Sequence, residues 1–272
     1  MHNRIQNCFS SLQSRNTCAL VTYVTAGDPN AVSTLRTMHT LVEAGADIIE
    51  LGVPFSDPMA DGPVIQRASE RALLSGMSLT GVMEIAREFR RDNATVPIVL
   101  MGYLNPIEAM GYERFSEQAE RAGVDGVLIV DAPPEESVDI NQKLARHGLD
   151  QIFLIAPNSD SSRIKNICEI ARGFVYYVGV KGVTGTKAID TNEVGKRLDE
   201  FRRTLPLPIG VGFGIKSAES AAAVAMISDA AIVGSAIIEI IERRLDNDDL
   251  RFAEIFSFVS QLRDALDQAR SA

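Results

Sequence analysis

The sequence contains no tryptophan and is poor in histidine, with three residues. The missing tryptophan excludes nothing by itself. His2, His39 and His147 stand apart from other ligand-type residues, so the sequence disfavours a zinc site. Their isolation also disfavours Ser-His-Asp and Cys-His catalysis. If the protein is an enzyme, we expect its acid–base chemistry to fall to carboxylates.

Cysteines and long apolar runs are also scarce. Cys8, Cys18 and Cys168 are odd in number and show no CxxC spacing, which favours a reducing compartment over a disulfide framework. No apolar run reaches the roughly 18 residues that a membrane-spanning helix needs. The first fifteen residues lack the apolar core of a signal peptide. We therefore expect a cytoplasmic protein that has no membrane partner.

Basic residues are in the minority. The chain has 27 Lys and Arg against 36 Asp and Glu, a net charge of −9. This balance disfavours nucleic acid as a partner, although a locally positive pocket could still hold a small anion. Hydrophobic residues fill 46% of the 272 positions, which is ample for a core. The length fits two small domains or one large α/β barrel.

Eight short apolar runs, nearly continuous rather than alternating, indicate parallel strands that are buried on both faces. The runs are Ala19–Thr25, Asp47–Leu51, Pro97–Met101, Gly126–Val130, Asp150–Ile155, Phe174–Val178, Pro208–Val211 and Ala230–Val233. Amphipathic helices are predicted between them, at Asn30–Glu43, Leu79–Arg91, Glu135–Arg146, Ser161–Ala171, Asn192–Arg203 and Lys216–Met226. No linker interrupts this alternation. We predict one α/β domain over residues 1–272, a TIM (β/α)8 barrel.

Two further helices exceed the minimal barrel. We expect an N-terminal helix over Asn3–Leu12 to cap the barrel floor, and a C-terminal helix over Asp248–Gln268 to close the outer ring. A short motif also recurs before three predicted strands, where a small residue and then Asp47, Asp125 or Asp229 leads into the strand. Either βα modules repeat along the chain, or joints between helices and strands simply favour Gly and Asp.

The end of the second predicted strand carries three acidic residues. Glu50 interrupts an apolar run, and Asp57 and Asp61 follow in a loop rich in proline and glycine. Active sites of α/β barrels lie at the C-terminal strand ends, and desolvation there would raise the pKa of Glu50 and suit it to acid–base work. Alternatively, Glu50 pairs with a lysine and the aspartates are turn or capping residues.

Glycine-rich turns follow the last three predicted strands. The loop Gly179–Thr186 is either a lid over a substrate or an ordinary flexible loop, and its Lys181 is too far beyond the strand for a buried Schiff base. Gly212-Phe213-Gly214 and Gly234-Ser235 each open a helix. Paired turns of this kind predict a phosphate site built from backbone N–H groups, unless the glycines serve only tight turns.

The stretch Ile49–Gly62, IELGVPFSDPMADG, resembles the signature of the tryptophan synthase alpha chain family. Further motifs agree in order: TYVTAGD at 22–28, LMGYLNP at 100–106, GVLIVDAPPEES at 126–137, GVTG at 182–185, GVGFGI at 210–215 and VGSAI at 233–237. The resemblance implies a TIM barrel that cleaves indole-3-glycerol phosphate to indole and glyceraldehyde 3-phosphate in tryptophan biosynthesis. It implies no cofactor in this chain, and a pyridoxal-phosphate β chain as partner in an α2β2 complex that passes indole through a tunnel.

The resemblance also implies roles for individual residues. Glu50 matches the acid–base glutamate that protonates indole C3, and Asp61 matches the aspartate that holds the indole N–H. The substrate and phosphate contacts match Tyr176, Thr184, Gly185, Phe213, Gly214, Gly234 and Ser235. The positions that border the indole pocket or the β chain match Pro54, Asp57, Tyr103 and Asn105-Pro106.

Two other functions stay open at this stage. One is a different phosphate-binding barrel, such as a sugar-phosphate isomerase or aldolase, against which the Ile49–Gly62 signature argues. The other is a subunit that mainly activates a partner, against which the presence of both Glu50 and Asp61 argues. The resemblance also offers a hypothesis for the missing tryptophan, of which about three would be expected: a chain needed to make this amino acid gains by not requiring it.

Overall fold

Eight parallel strands form a closed barrel in the computed structural model, which describes residues 3–179, 190–212 and 214–271. Each strand pairs with the next along the chain, and the last pairs with the first. The strands are β1 Ala19–Thr25, β2 Ile48–Gly52, β3 Ile98–Gly102, β4 Gly126–Ile129, β5 Asp150–Ile155, β6 Val175–Tyr177, β7 Ile209–Val211 and β8 Ala230–Val233. The predicted TIM (β/α)8 barrel is confirmed, and each predicted strand end falls within one residue of the observed end.

Helices surround the barrel. Within the described ranges they are α1 Arg4–Ser14, α2 Ala31–Glu43, α3 Pro63–Leu74, α4 Leu79–Asp92, α5 Leu104–Met110, α6 Tyr112–Arg121, α7 Val138–Arg146, α8 Ser161–Ile170, α9 Thr191–Arg202, α10 Ala218–Ala225, α11 Ser235–Arg243 and α12 Asp248–Ser271. The sequence pattern does not predict α3, α5 or α6, because turn residues lie at their ends. Helix α3 begins at Pro63, and Gly111 at a φ of 88° separates α5 from α6.

The predicted start of one helix is wrong, and the C-terminal helix runs to Ser271 instead of the predicted Gln268. Residues Pro134–Glu136 form a single 3-10 turn instead of the start of the predicted helix Glu135–Arg146, and α7 begins only at Val138. The Ser137 hydroxyl donates a hydrogen bond to the Pro133 carbonyl at 2.9 Å, which fits a local turn rather than a continuous helix.

Both extra helices lie where the sequence predicts them. Helix α1 buries Ile5, Phe9 and Leu12 against the side chains that fill the barrel, and the Phe9 ring lies 5.7 Å from that of Phe174. It therefore caps the N-terminal end of the barrel. Helix α12 packs against α2 and α10 and closes the outer ring. These extra layers enlarge the buried apolar surface that stabilises the barrel.

The recurring aspartate motif has one structural meaning at all three places. Each carboxylate accepts a hydrogen bond from a backbone N–H near the start of the preceding strand. The pairs are Asp47 with Leu20 at 2.8 Å, Asp125 with Ile98 at 2.8 Å and Asp229 with Ile209 at 2.9 Å. An arginine also bonds each carboxylate: Arg263 at Asp47, Arg90 at Asp125 and Arg202 at Asp229. The motif therefore marks a structural joint that satisfies backbone groups at the floor of the barrel.

Substitution of Asp125 by alanine is expected to lower the free energy of unfolding by about 3 kcal/mol. The Asp125 side chain is only 5% exposed and bonds Arg4, Arg90 and the Ile98 N–H, so its removal leaves buried partners unsatisfied. Urea unfolding measures the loss. Asp229→Ala is the matched control, because the Asp229 side chain is 38% exposed and its loss should cost about 1 kcal/mol. Equal losses at the two positions would contradict this assignment.

Candidate active site

Polar side chains face into the barrel near the C-terminal ends of three strands. Successive strand residues point to opposite faces, and Val21, Ile48 and Phe174 fill the barrel interior. Two residues further along the same strands, Tyr23, Glu50 and Tyr176 therefore face inward as well. Tyr23 on β1 is the register partner of Glu50 on β2. The barrel thus places one carboxyl group and two phenols in the layer above its apolar filling.

Glu50 is fully buried, and neither of its carboxyl oxygens has a hydrogen-bond partner among the described residues. Burial raises the pKa of Glu50 from 4.5 to about 8. Since no described lysine pairs with it, the described residues do not support the ion-pair alternative. At neutral pH the group is mostly protonated, which is the form that can give a proton to a bound molecule.

Asp61 lies in the loop after β2 and has a defined partner. The Tyr103 hydroxyl donates a hydrogen bond to Asp61 Oδ2 at 3.2 Å and accepts one from the Ala60 N–H at 3.0 Å. Burial raises the pKa of Asp61, and the hydrogen bond from Tyr103 opposes this rise. Asp57, in contrast, is exposed and accepts a hydrogen bond from Ser56 at 2.6 Å, as expected of a turn residue.

Two glycines make room for the two tyrosines. A Cβ atom at Gly52 would lie 2.2 Å from the Tyr23 phenol oxygen, and one at Gly212 would lie 2.1 Å from the Tyr176 phenol oxygen. Each ring therefore leans over the neighbouring strand. Sequence reasoning missed Tyr23, because the continuous apolar run of β1 does not reveal which residues face inward. The available signal was its position near the C-terminal end of a predicted strand.

The glycine turns after β7 and β8 are neighbours, because these strands pair through Gly210 and Ala230. Gly214 has a φ of 67°, which a residue with a side chain rarely adopts. Helix α11 begins at Ser235 directly after Gly234, and the first N–H groups of a helix have no intrahelical partner. This arrangement suits an anion such as a phosphate. The predicted contacts Thr184, Gly185 and Phe213, like Lys181, lie outside the described residues.

The described residues include no group of three or more acidic, histidine or cysteine side chains that could hold a metal ion. His147 instead bonds Glu113 and Glu120, in contacts between α6 and α7. None of the helices in the described ranges has the length and apolarity needed to cross a bilayer.

Comparisons with known proteins agree with this geometry. The family model described as tryptophan synthase alpha chain matches residues 9–267. A tryptophan synthase alpha chain from Chromobacterium violaceum is 56% identical over 88% of this chain and 91% of its own length. One from Methylococcus capsulatus is 52% identical over 97% of this chain and 99% of its own length. The crystal structure of tryptophan synthase subunit alpha from Legionella pneumophila superposes with a TM-score of 0.93 at 40% identity, covering 98% of this chain and 100% of that one.

Proposed function

The chain belongs to the tryptophan synthase alpha chain family and is a lyase that cleaves indole-3-glycerol phosphate in tryptophan biosynthesis, and we propose that Glu50 and Asp61 carry out this reaction. The observation that supports the proposal is the state of Glu50, which is fully buried at the barrel mouth without a partner. A carboxyl group in that state is costly for the fold, and groups of this kind cluster at active sites.

Glu50 acts first as a general acid. Its proton goes to C3 of the indole ring, which makes the ring a positively charged electron sink. The bond between C3 and the glycerol chain then breaks, and its electrons return to the ring. The hydroxyl group on the departing carbon loses its proton and becomes the aldehyde. Glu50 is a carboxylate after the first step and can accept that proton, so the cycle closes without a Schiff base or a metal ion.

Asp61 stabilises the charge that this step creates. Its carboxylate accepts a hydrogen bond from the indole N–H, where positive charge develops only in and after the transition state. The hydrogen bond from Tyr103 holds the carboxylate in place before the substrate arrives. Asp61 and Glu50 thus divide the work between charge stabilisation and proton transfer.

The phosphate of the substrate is assigned to the adjacent turns after β7 and β8. Gly214, Gly234 and Ser235 supply backbone N–H groups and the start of α11, and Tyr176 lies on the neighbouring strand β6. The resemblance adds Thr184, Gly185 and Phe213 to this set. The acidic chain can hold this anion because the donors are local and belong mainly to the backbone.

The test is the release of indole from indole-3-glycerol phosphate by the purified wild type and by Glu50→Gln and Asp61→Asn. A wild-type rate in either variant would remove that residue from the proposal. Aldose phosphates serve as control substrates, because a sugar-phosphate isomerase or aldolase would turn them over. We expect no turnover of these compounds.

We further propose that the chain works with a tryptophan synthase β chain, which holds pyridoxal phosphate, in a cytoplasmic α2β2 complex. This chain would need no cofactor and would form one domain over residues 1–272. The contact surface would include the loop after β2, in which Met59 is 84% exposed and Asp57 is also exposed. Large exposed apolar side chains of this kind favour a partner surface. The Phe55 and Tyr103 rings stack at 5.1 Å and link that loop to the site.

Addition of the β chain is expected to raise the rate of indole formation by about 5- to 150-fold, the range of a typical coupling between sites. Met59→Asp should reduce the gain, because it places a charge in the contact surface. Met226→Asp is the matched control, since Met226 is 66% exposed just beyond α10, away from the loop after β2. Steady-state assays with and without the β chain give the ratio. A ratio near one would contradict the partnership.

A further inference from the structure

We propose that Tyr23 is a positioning residue for the lyase reaction: its ring covers the mouth side of Glu50 and its hydroxyl is held by Thr25, so that water is kept from the carboxyl group. This inference rests on the proposed role of Glu50 as the acid. It gives Tyr23 a role that neither the sequence motifs nor the site assignments provide.

The first step is the position of the ring. Tyr23 and Glu50 are register partners on β1 and β2, and Thr25 and Gly52 are the next inward-facing pair towards the mouth. The Tyr23 phenol oxygen lies where a side chain at Gly52 would begin, 2.2 Å from the position of its Cβ. The ring therefore crosses from the layer of Glu50 into the layer directly above it. It occupies the side from which water would approach the carboxyl group.

The second step is the hydroxyl group. The Tyr23 phenol oxygen lies 3.2 Å from the Thr25 hydroxyl oxygen, and both residues are buried. Glu50 has no partner among the described residues. The Tyr23 hydroxyl is thus paired with Thr25 and not with Glu50, although it lies close enough to interact electrostatically with Glu50. A hydrogen bond from Tyr23 would stabilise the carboxylate and lower the pKa of Glu50, but the Tyr23 oxygen pairs with Thr25 and forms no such bond.

The third step concerns the opposite flank of the ring. A Cβ atom at Gly234 would lie 3.3 Å from Tyr23 Cβ, so the turn that opens α11 packs directly against Tyr23. The ring is confined between this turn and Gly52. Tyr23 therefore links the proposed phosphate turn with the layer that covers Glu50, and a substrate bound at that turn must meet Tyr23 on its way to the carboxyl group.

The surroundings of Glu50 leave few other groups that could control its ionisation. From β3, its register partner is Val99, which does not titrate. Among the described residues, the titratable groups in electrostatic contact with Tyr23 or Tyr176, besides Glu50 itself, are those two phenols, Asp61 and Tyr103. None of these groups is a cation that would favour the carboxylate, so exclusion of water decides the state of Glu50.

The test compares Tyr23→Ala, Tyr23→Phe and Thr25→Val, each made alone and together with Glu50→Gln. Urea unfolding from pH 4 to pH 9 gives the stability difference between each variant and its Glu50→Gln counterpart. This difference changes with pH until Glu50 ionises in the folded protein and is constant above that pH. We call the pH at which it stops changing the break; it reports the pKa of Glu50 in the folded protein without any assay of activity. In the wild-type background we expect the break near pH 8.

Tyr23→Ala is expected to move this break, and the alkaline limb of kcat/KM, to lower pH by about one to two units, because water reaches Glu50. Tyr23→Phe keeps the ring and should leave the break in place. Tyr23→Phe and Thr25→Val should each lower kcat/KM by about two- to tenfold, and the double variant should lose no more than either one, since both remove the same hydrogen bond.

Val21→Ala is the control for a general loosening of the barrel. Val21 shares the inward face of β1 but lies one layer below Tyr23, so its substitution should leave the break unchanged. An unmoved break in Tyr23→Ala would overturn the proposal. If that variant does not fold, Tyr23→Leu is tested by the same criterion. A wild-type rate in Glu50→Gln would instead remove the proposed acid, while the stability break would still report whether Tyr23 excludes water.

Discussion

Replacement of Glu50 by glutamine is expected to lower kcat for indole release by about 10³-fold and to leave KM nearly unchanged. The amide has almost the same shape as the protonated acid but cannot give a proton to indole C3. The fall in kcat therefore reports proton transfer rather than loss of binding. Rapid measurement of indole formation at saturating substrate tests this. A strong rise in KM with an unchanged kcat would mean that Glu50 binds the substrate instead.

The same substitution is expected to stabilise the fold, by an amount that grows with pH. In the folded protein the pKa of Glu50 is about 8 against an ordinary value of 4.5, so between these pH values the folded state holds a proton that the unfolded state has lost. The free energy of unfolding of the wild type should fall by up to about 1.4 kcal/mol per pH unit across this window. Glutamine does not ionise, so the variant lacks this contribution to the pH dependence. The contribution of Glu50 to stability is fully present below pH 4.5 and is lost as the pH rises towards about 8.

Urea unfolding of both proteins at pH 5, 6.5 and 8 measures this effect. Glu84→Gln is the matched control. It makes the same chemical change at a side chain that is exposed on α4. A stability gain in Glu50→Gln that is constant across these pH values would contradict the assignment. A combined loss of activity and gain of stability would identify Glu50 as a group retained for chemistry rather than for folding.

Replacement of Asp61 by asparagine is expected to lower kcat by about 10²- to 10³-fold, the typical cost of removing one group that stabilises charge in a transition state. Asparagine keeps the size of the side chain and can still accept a hydrogen bond from the indole N–H, but it carries no negative charge. The effect should therefore appear in kcat more than in KM. Steady-state rates of indole release provide the measurement.

Two variants serve as controls for Asp61. Asp57→Asn makes the same change in the same loop, but at an exposed turn residue, and the lyase rate of the isolated chain should stay within about twofold of wild type. Tyr103→Phe keeps the Asp61 carboxylate but removes its hydrogen bond, so kcat should fall by only about tenfold. Loss of that bond raises the pKa of Asp61 further, and the acid limb of the rate profile should move to higher pH. Equal rates in Asp57→Asn and Asp61→Asn would contradict the proposed role.

The strands of the barrel were predictable because their signal is local. A buried parallel strand needs a short apolar run between turn residues, and all eight such runs lie within one residue of a strand at each end. The helices α3, α5 and α6 were not predicted because they begin or end at residues that usually mark turns. Pro63 starts α3 and Gly111 divides α5 from α6, so both residues lie at helix ends, and their types alone do not distinguish a helix end from a loop.

The recurring aspartates show the same limit in another form. The sequence contains the repeat at Asp47, Asp125 and Asp229 but leaves open whether it has a purpose. The shared hydrogen bond to the preceding strand appears only once the barrel brings that strand alongside. Helix–turn–strand order along the chain cannot reveal it, because each pair is separated by a complete βα unit.

By itself, the sequence determined the barrel, the loops that carry acidic residues and glycines, and the chemical types available at the mouth. Only the tertiary structure decided what those groups can do. The pKa of Glu50 depends on the exclusion of water by neighbouring strands, the support of Asp61 depends on Tyr103 from the next loop, and the position of Tyr23 depends on the space above Gly52. Desolvation and contact are properties of residues distant in sequence, so they arise only when the strands close into a ring.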